Sequence, residues 1–317
     1  MTTDILLICT DRVAELEASL PAALGQPDAC VTVIDNACGD GSGELARAAG
    51  AEVLRLERRL SWCAANNAAL AATSGEEVLL LNADCFLDRE FLARARPRLL
   101  EEGVGVVAPL LLRTLGPAAG DRLHEVDAAG MMLDRRRKNG LVGHGGPPAR
   151  FAAPGECFGA DGAAALFLRA MLADCAVAGQ VLDEDFEKYA SDVDLAWRGW
   201  LLGWRCAYEP SARAWHVRSY GPSTRAAVPP GDRRAQFRNR YLMMAKNDRP
   251  PLRDLPPVAR YELLALAYVL LRERDLLGGY SEALRRLPAA RRHRREIMSR
   301  RRVQRAPLGL LPPRVDL

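Results

Sequence analysis

The 317-residue sequence predicts an α/β fold built on a parallel sheet with helices on both of its faces. Three observations lead there. Short apolar runs that read as strands alternate with helical stretches over residues 5–81, at the spacing of crossover helices between parallel strands. One run, Val78–Leu81, is apolar throughout, as a strand covered on both faces must be. Hydrophobic residues make up 49% of the chain and charged residues 26%, a globular composition on a chain long enough to bury a sizeable core.

In order, Ile5–Cys9 reads as a strand and Val13–Leu24 as a helix. Val31–Ile34 is a second strand, followed by the turn-rich stretch Asn36–Gly43 and a helix to about Ala49. Val53–Leu56 is a third strand, Ala64–Ala72 a helix and Val78–Leu81 the next strand. Residues 113–160 are rich in Gly and Pro and lack periodicity, which suits irregular structure or short antiparallel strands around the rim of a site. Gly159–Leu168 is small and apolar, and Val181–Gly203 reads as a loop leading into a helix. Ser191 and Asp194 have the spacing of a capping box, which starts that helix at Ser191.

Composition changes near Pro250-Pro251 and Pro256-Pro257, which divides the chain into an α/β domain over 1–245 and a basic helical extension over 246–317. The formal charge of +4 is uneven: residues 251–317 hold 15 Arg against 7 Asp plus Glu, a net of +8, leaving −4 for the rest. Within the extension, Tyr261–Arg274 is an apolar helix candidate. Arg285–Arg305 is strongly basic, with Leu287, Ile297, Met298 and Val303 interspersed. Such a segment suits an anionic membrane surface, a packed helical hairpin with a solvated face, or nucleic acid. The eight cysteines show no C-x-x-C pair or zinc spacing, which fits reduced thiols in a cytoplasmic protein. No secretory signal opens the chain, and Leu263–Leu271, the longest helical-looking apolar stretch, is too short to span a bilayer.

Ligands of open α/β sheets bind beyond the carboxyl ends of the strands, which directs attention to Thr10–Asp11, Asp35–Asn36 and Asn82–Asp84. Asp35 ends an apolar strand, where its carboxylate can accept from a pyrimidine N–H. Asp40, Gly41 and Ser42 equally read as a turn and a helix N-cap. Asn82 and Asp84, two apart after a strand, offer hard oxygen ligands to Mg²⁺ or Mn²⁺ on a nucleotide diphosphate, although both are also ordinary turn residues. Asp192 falls in the first turn of a helix, whose positive end favours its ionised form, so it can take a proton from an incoming hydroxyl. Asp194 reads only as a stabiliser of that helix end.

Together these segments resemble the family 2 glycosyltransferases, which have the GT-A fold. The resemblance is carried by Ile34-Asp35-Asn36, Asp40-Gly41-Ser42, Ala65-Asn66-Asn67 and Leu81-Asn82-Ala83-Asp84. It continues through Gly162-Ala163, Leu168-Arg169, Asp192-Val193-Asp194-Leu195, Arg198, Gly203-Trp204, Pro210, Ala212 and His216, in order over roughly residues 4–245. The resemblance implies a GT-A, Rossmann-like and mostly parallel central sheet flanked by helices. It also implies that Asp35 binds the donor nucleobase with Thr10 and Asp11 beside it, and that Asn67 and Asn82 belong to the donor site. Asp84 would hold the divalent cation, His216 would sit near the metal and diphosphate, and Asp192 would be the general base of an inverting transfer. Arg233, Arg234, Arg238 and Arg240 are candidates for a segment closing on the phosphates, or for a solvated helix face.

Departures from the family pattern are Ser191 for the usual Glu, Ala83 for Pro, Arg59-Leu60-Ser61-Trp62 for N-x-G-F, and Thr10-Asp11 for an aromatic and Asn. The implied partners are a nucleotide sugar, UDP- or dTDP-linked, and a saccharide or lipid-linked saccharide acceptor in cell-envelope or polysaccharide synthesis. Bacterial rhamnosyltransferases look similar. The basic tail would hold the enzyme at the inner face of the cell membrane, and no nucleic acid is expected. A catalytically inactive scaffold of the same fold, binding a membrane or a partner protein, is the alternative. A Rossmann oxidoreductase is disfavoured, because no G-x-G-x-x-G follows the first strand.

Overall fold

Eight strands lie side by side in the main sheet of the computed structural model, which describes residues 2–218 and 227–315. The first unit runs β1 (Thr3–Cys9), α1 (Val13–Leu24), β2 (Ala29–Asp35), α2 (Ser42–Ala48), β3 (Glu52–Arg55), α3 (Trp62–Ala72) and β4 (Glu77–Asn82). β5 (Cys85–Leu87), α4 (Phe91–Leu99) and β6 (Val104–Thr114) follow, then β7 (Arg122–Ala129), β8 (Met131–Leu133), β9 (Asn139–Leu141) and β10 (Gly155–Glu156). β11 (Ala164–Leu168), α5 (Arg169–Cys175), α6 (Ser191–Leu201) and β12 (Arg205–His216) complete the domain. The strand order is β10-β12-β6-β11-β4-β1-β2-β3, with β5 on β12 and β7 on β6. β4, β1, β2 and β3 are mutually parallel and β12 is parallel to β6, whereas β11 runs antiparallel to both its neighbours.

Two apolar cores explain why the strands read as unbroken apolar runs. In β1, Leu6 and Ile8 point into one core with α3, α5 and α6, while Ile5, Leu7 and Cys9 point into the other with α1, α2 and α4. Every residue of β1 is buried, so alternation has no polar half to display. Asp40 joins two helix starts: its carboxylate accepts from Val13 N (2.9 Å) at α1 and from Ser42 N (3.1 Å) and Oγ (2.6 Å) at α2. Gly41 between them has φ 89°, a conformation that favours glycine. All eight cysteines are free.

The start of α6 differs from the expected capping box. Ala190 takes the cap position with φ 60°, and the Ser191 hydroxyl donates to Lys188 O (2.9 Å) instead of receiving the Asp194 N–H. Asp194 is turned inward. It accepts from Arg198 Nε (3.0 Å), Lys246 Nζ (2.8 Å) and Asn247 Nδ2 (2.7 Å), so tertiary charge pairing, not helix capping, is its role.

The extension consists of α7 (Pro230–Asn247), α8 (Leu255–Leu271) and α9 (Leu277–Arg300); residue 245 falls in the last turn of α7. α9 packs along α7 through Phe237, Tyr241 and Tyr280, and buries Ala290 and Ile297 in the main core. The chain then returns to the domain, where Gly309 N donates to Leu133 O (2.8 Å) and Val315 N to Arg150 O (3.0 Å). The apolar side chains of the basic segment 285–305 are therefore largely used in packing: Leu287 and Met298 are half-buried and only Val303 is exposed. Among the described residues, no helix is long and apolar enough to cross a membrane.

Candidate functional site

β4 ends at Asn82, and two residues later Asp84 precedes β5, which pairs antiparallel with the end of β12 in the register His216↔Cys85. That pairing brings the Asp84 carboxylate within 3.6 Å of His216 Nε2. His216 Nδ1 lies 2.9 Å from the Asp127 carboxylate at the end of β7, whose strand is held beside β12 by β6. Arg218 donates to Asp127 through Nε (2.6 Å) and Nη2 (2.8 Å), and through Nη2 to Asp161 (2.7 Å). On the other side, Arg12 Nη1 is 3.2 Å from the second Asp84 oxygen. A relay of alternating charge results, running from half-exposed Arg12 through Asp84, His216 and buried Asp127 to Arg218 and Asp161.

The relay sets the protonation of its members. Burial alone would raise the carboxyl of Asp127, but hydrogen bonds from His144, His216 and Arg218 outweigh it and hold the group far below the usual range. Burial would lower His216; the carboxylates of Asp127 and Asp84 overcome that and push the imidazole up to about 9. Asp84 is held below its ordinary value against its burial, by His216 and then Arg12.

The residues fit the divalent cation that the resemblance implies. Mg²⁺ and Mn²⁺ accept one or two protein ligands when phosphate oxygens and water complete the shell. Asp84 supplies a carboxylate and His216 an imidazole whose far nitrogen is anchored on Asp127, an arrangement that orients metal-ligating histidines. Cation binding at His216 would displace the proton on Nε2.

Asp192, in the first turn of α6, receives Val193 N (2.8 Å) and Gly162 N (3.3 Å). Its carboxyl is pushed up to about 6, first by burial and then by the negative charge of Asp161. A half-buried carboxylate whose pKa approaches neutrality is suited to take a proton from a hydroxyl. A Cβ on Gly162 would meet the Trp62 ring at 3.1 Å and lie 3.9 Å from Asp192 Oδ2, and Trp62 Nε1 donates to Asn82 Oδ1 (3.0 Å). Gly162 and Trp62 thus connect Asp192 to the end of β4.

At the ends of β1 and β2 the residues brace one another. Asn36 donates to Thr10 Oγ1 (3.1 Å) and Leu60 O (3.0 Å) and accepts from Leu60 N (2.8 Å). Exposed Asp11, at φ 49°, pairs with Arg59 and accepts from Gly39 N (2.9 Å). Asp35 is closed off from solvent, with one oxygen on Cys38 N (2.8 Å) and the other on Arg55 (2.7 Å). A nucleobase N–H would therefore have to share a carboxylate that two donors already engage. Asp11, Cys38 and Asp40 offer ligand atoms within 4.8 Å of one another, but burial pushes the Cys38 thiol up to about 12, and it stays protonated.

Two sequence candidates are engaged elsewhere. Asn67 clamps the loop before α6, donating to Leu182 O (2.7 Å) and Glu184 (3.0 Å) and accepting from Leu182 N (2.9 Å). Arg238 is buried in α7 and pairs with Glu187 and Glu282, each at 3.3 Å, so its guanidinium joins α7 to α9 and the 185–187 loop. Arg233, Arg234 and Arg240 also have acidic partners, in Asp275, Glu282 and Glu262. Intrachain carboxylates thus lie within 3.6 Å of all four guanidinium groups that are candidates for the phosphates, and two of these, Arg233 and Arg234, keep a buried Nε without a partner. Sequence reasoning missed Arg12, Asp127, Asp161 and Arg218. Asp161 immediately precedes the matched Gly162-Ala163 and Arg218 follows His216 by two; Asp127 carries no local signal.

The profile of Glycosyl transferase family 2 matches residues 4–173, more than half of the chain. No curated protein sequence matches it. Among solved structures, the mannosyltransferase PcManGT from Pyrobaculum calidifontis, in complex with GDP-Man and Mn²⁺, is 18% identical, with 91% of this chain and 75% of that one covered at a TM-score of 0.53. S. aureus TarS 1–349 in complex with UDP-GlcNAc is 15% identical, with 94% and 91% covered at 0.58. GalNAc-T7 with UDP, GalNAc and Mn²⁺ is 12% identical at 0.60; this chain spans about half of it, 48%. At those identities the likeness concerns the fold, which is GT-A-like. Through the family match and that architecture, the chain belongs to glycosyl transferase family 2, whose typical reaction is nucleotide-sugar-dependent glycosyl transfer.

Proposed function

We propose that this chain transfers a sugar with inversion from a nucleoside-diphosphate donor to a hydroxyl of a saccharide or lipid-linked saccharide, in cell-envelope or polysaccharide synthesis at the inner face of the membrane. The observation that carries the reading is a half-buried carboxylate, Asp192, joined through Gly162 and Trp62 to Asn82 at the end of β4, two residues before Asp84. Asp192 takes the proton of the acceptor hydroxyl as that oxygen attacks the anomeric carbon and the bond to the diphosphate breaks. Asp161 and Gly162 N hold the base: one keeps its proton affinity high, the other fixes its orientation.

Asp84 and His216 would hold Mg²⁺ or Mn²⁺, which supplies charge neutralisation to the departing nucleoside diphosphate. Asp127 keeps the His216 ring in place. Thr10, Asp11 and Asp35 would frame the nucleobase, and a base that uses Asp35 must compete with Arg55. Following the resemblance to rhamnosyltransferases, the donor we favour is dTDP- or UDP-linked, with rhamnose as the first sugar to try.

The test is a panel of UDP-, GDP- and dTDP-sugars, including dTDP-rhamnose, measured by calorimetry with and without Mn²⁺ or Mg²⁺. Saturable binding of one donor that needs both metal and Asp84, together with turnover that Asp192→Asn abolishes, supports the reading. Binding of no donor under any condition would overturn it in favour of an inactive scaffold.

A further inference from the structure

α8 has only one buried residue, Val269, in seventeen. On a 100° helical wheel Leu255, Leu263, Leu264, Leu266, Leu270 and Leu271 fall on the outward half-turn, and all are exposed, Leu263 by 70% and Leu271 by 77%. Leu252, just before the helix, is 84% exposed. A contiguous apolar strip of this kind marks an interaction surface.

The surroundings of the strip are basic. Among the described residues Arg249 and Arg260 form no ion pair, and Arg253 only approaches Asp254 at 4.0 Å with its own side chain 77% exposed. Most acids of this stretch pair with arginines of the chain: Asp248 and Asp254 with Arg137, and Glu262 with Arg240, while Glu273 accepts from the Tyr268 hydroxyl at the far end of α8. Immediately before α8 lies a cavity of about 200 Å³ lined by Arg135, Arg249, Arg253 and Arg305, together with Arg137 and the two carboxylates it pairs with, Asp248 and Asp254. Guanidinium groups outnumber carboxylates in this lining and suit a phosphate, and the same chemistry is offered by a lipid headgroup or a free anion.

We propose that α8 and the arginine-lined cavity at its start form the docking surface of this chain for an anionic lipid bilayer, the leucines entering the acyl boundary and the arginines engaging headgroup phosphates. Seventeen residues at 1.5 Å each make a helix of about 26 Å, which is too short to span the ~30 Å hydrocarbon core and suited to lie in its interface. A second copy of the chain is the weaker occupant. A strip about 26 Å by 10 Å covers on the order of 260 Å² per partner, against ~800 Å² in a stable dimer, and the unpaired arginines would meet each other.

The assignment also moves the membrane contact away from segment 285–305, whose Ala290 and Ile297 are buried in the core. Docking would orient the transfer site rigidly, because Asn247, on the cavity wall, donates to Asp194 on the helix of Asp192. The proposal does not depend on the sugar-transfer reading, since neither donor nor acceptor enters its test.

The experiment is co-sedimentation of the full chain with vesicles of phosphatidylcholine alone and of phosphatidylcholine with an equal part of phosphatidylglycerol. We expect binding to the anionic vesicles only, weakened by salt. Leu263→Glu with Leu270→Glu should weaken it at least tenfold, and Arg253→Glu or Arg260→Glu about fivefold or more each. Since these side chains are exposed, circular dichroism and melting should match the parent chain. Equal binding to neutral vesicles, or binding to neither, overturns the proposal. So does a lipid-free dimer that the Leu263→Glu, Leu270→Glu variant dissociates, or stabilisation by inorganic phosphate without vesicle binding, which would reassign the cavity to a soluble anion.

Discussion

Replacing Asp192 with Asn should inactivate the enzyme while stabilising it at neutral and alkaline pH. Burial and Asp161 push this carboxyl from its ordinary 3.8 to about 6, so the native state binds the proton more tightly than the unfolded chain. Its contribution to stability is therefore present in full below about pH 4 and lost as pH rises through about 6. A change from 3.8 to about 6 amounts to at most ~3 kcal/mol. The Asn side chain keeps one acceptor for Val193 N and Gly162 N, where the carboxylate served both, at a cost of about 1 kcal/mol. Near pH 8 the variant should gain about 2 kcal/mol over the parent, and near pH 4 it should be slightly less stable. Urea denaturation at both pH values measures the difference. In parallel, kcat/KM of the parent should rise with pH through about 6, and the variant should fall about 10²- to 10⁴-fold. A stability difference that does not change with pH, or an activity profile flat through pH 6, would refute the reasoning.

Asp127→Asn should weaken Mn²⁺ binding 10- to 100-fold by releasing the His216 ring, as calorimetry with Mn²⁺ and UDP can read. Arg12→Ala should act in the opposite direction on the cation alone, tightening Mn²⁺ at Asp84 because a competing positive charge 3.2 Å away is removed; unchanged or weaker binding would count against Asp84 as a ligand. Asp194→Ala leaves buried Arg198 and Lys246 without their shared carboxylate and should destabilise the fold by about 3–5 kcal/mol in urea. Glu at position 191, restoring the family's acidic residue beside the base, should raise the apparent pKa of Asp192 further and shift the activity profile to higher pH.

Much of the first unit is legible because its signals are local. The ends of β1, β2 and β4 carry Thr10, Asp35 and Asn82, and the apolar runs before them are short and bounded by turn residues. Asp192 is legible from its place in a helical first turn. By contrast β6 and β12, the long strands that carry the rim of the site, were not singled out, and their pairing is parallel across about a hundred residues. Asn67 and Arg238 show a second thing the sequence does not display. Each sits in a stretch that reads as functional, yet the loop before α6 takes both for internal bonds, because a polar side chain in a folded chain goes to whichever buried partner needs it.

By itself the sequence determined the alternation of strands and helices and the carboxylates at the strand ends, and it singled out Asp192, Asp84 and His216 as candidates, since each signal depends on residues near one another in the chain. Tertiary structure alone decided that Asp127, 89 residues from His216, anchors its ring, and that Arg218 joins Asp127 to Asp161. It also decided which apolar residues of the extension are spent inside: α9 packs and α8 does not. Electrostatic and packing partners are chosen by proximity in space, and proximity across tens of residues exists only once the sheet has closed.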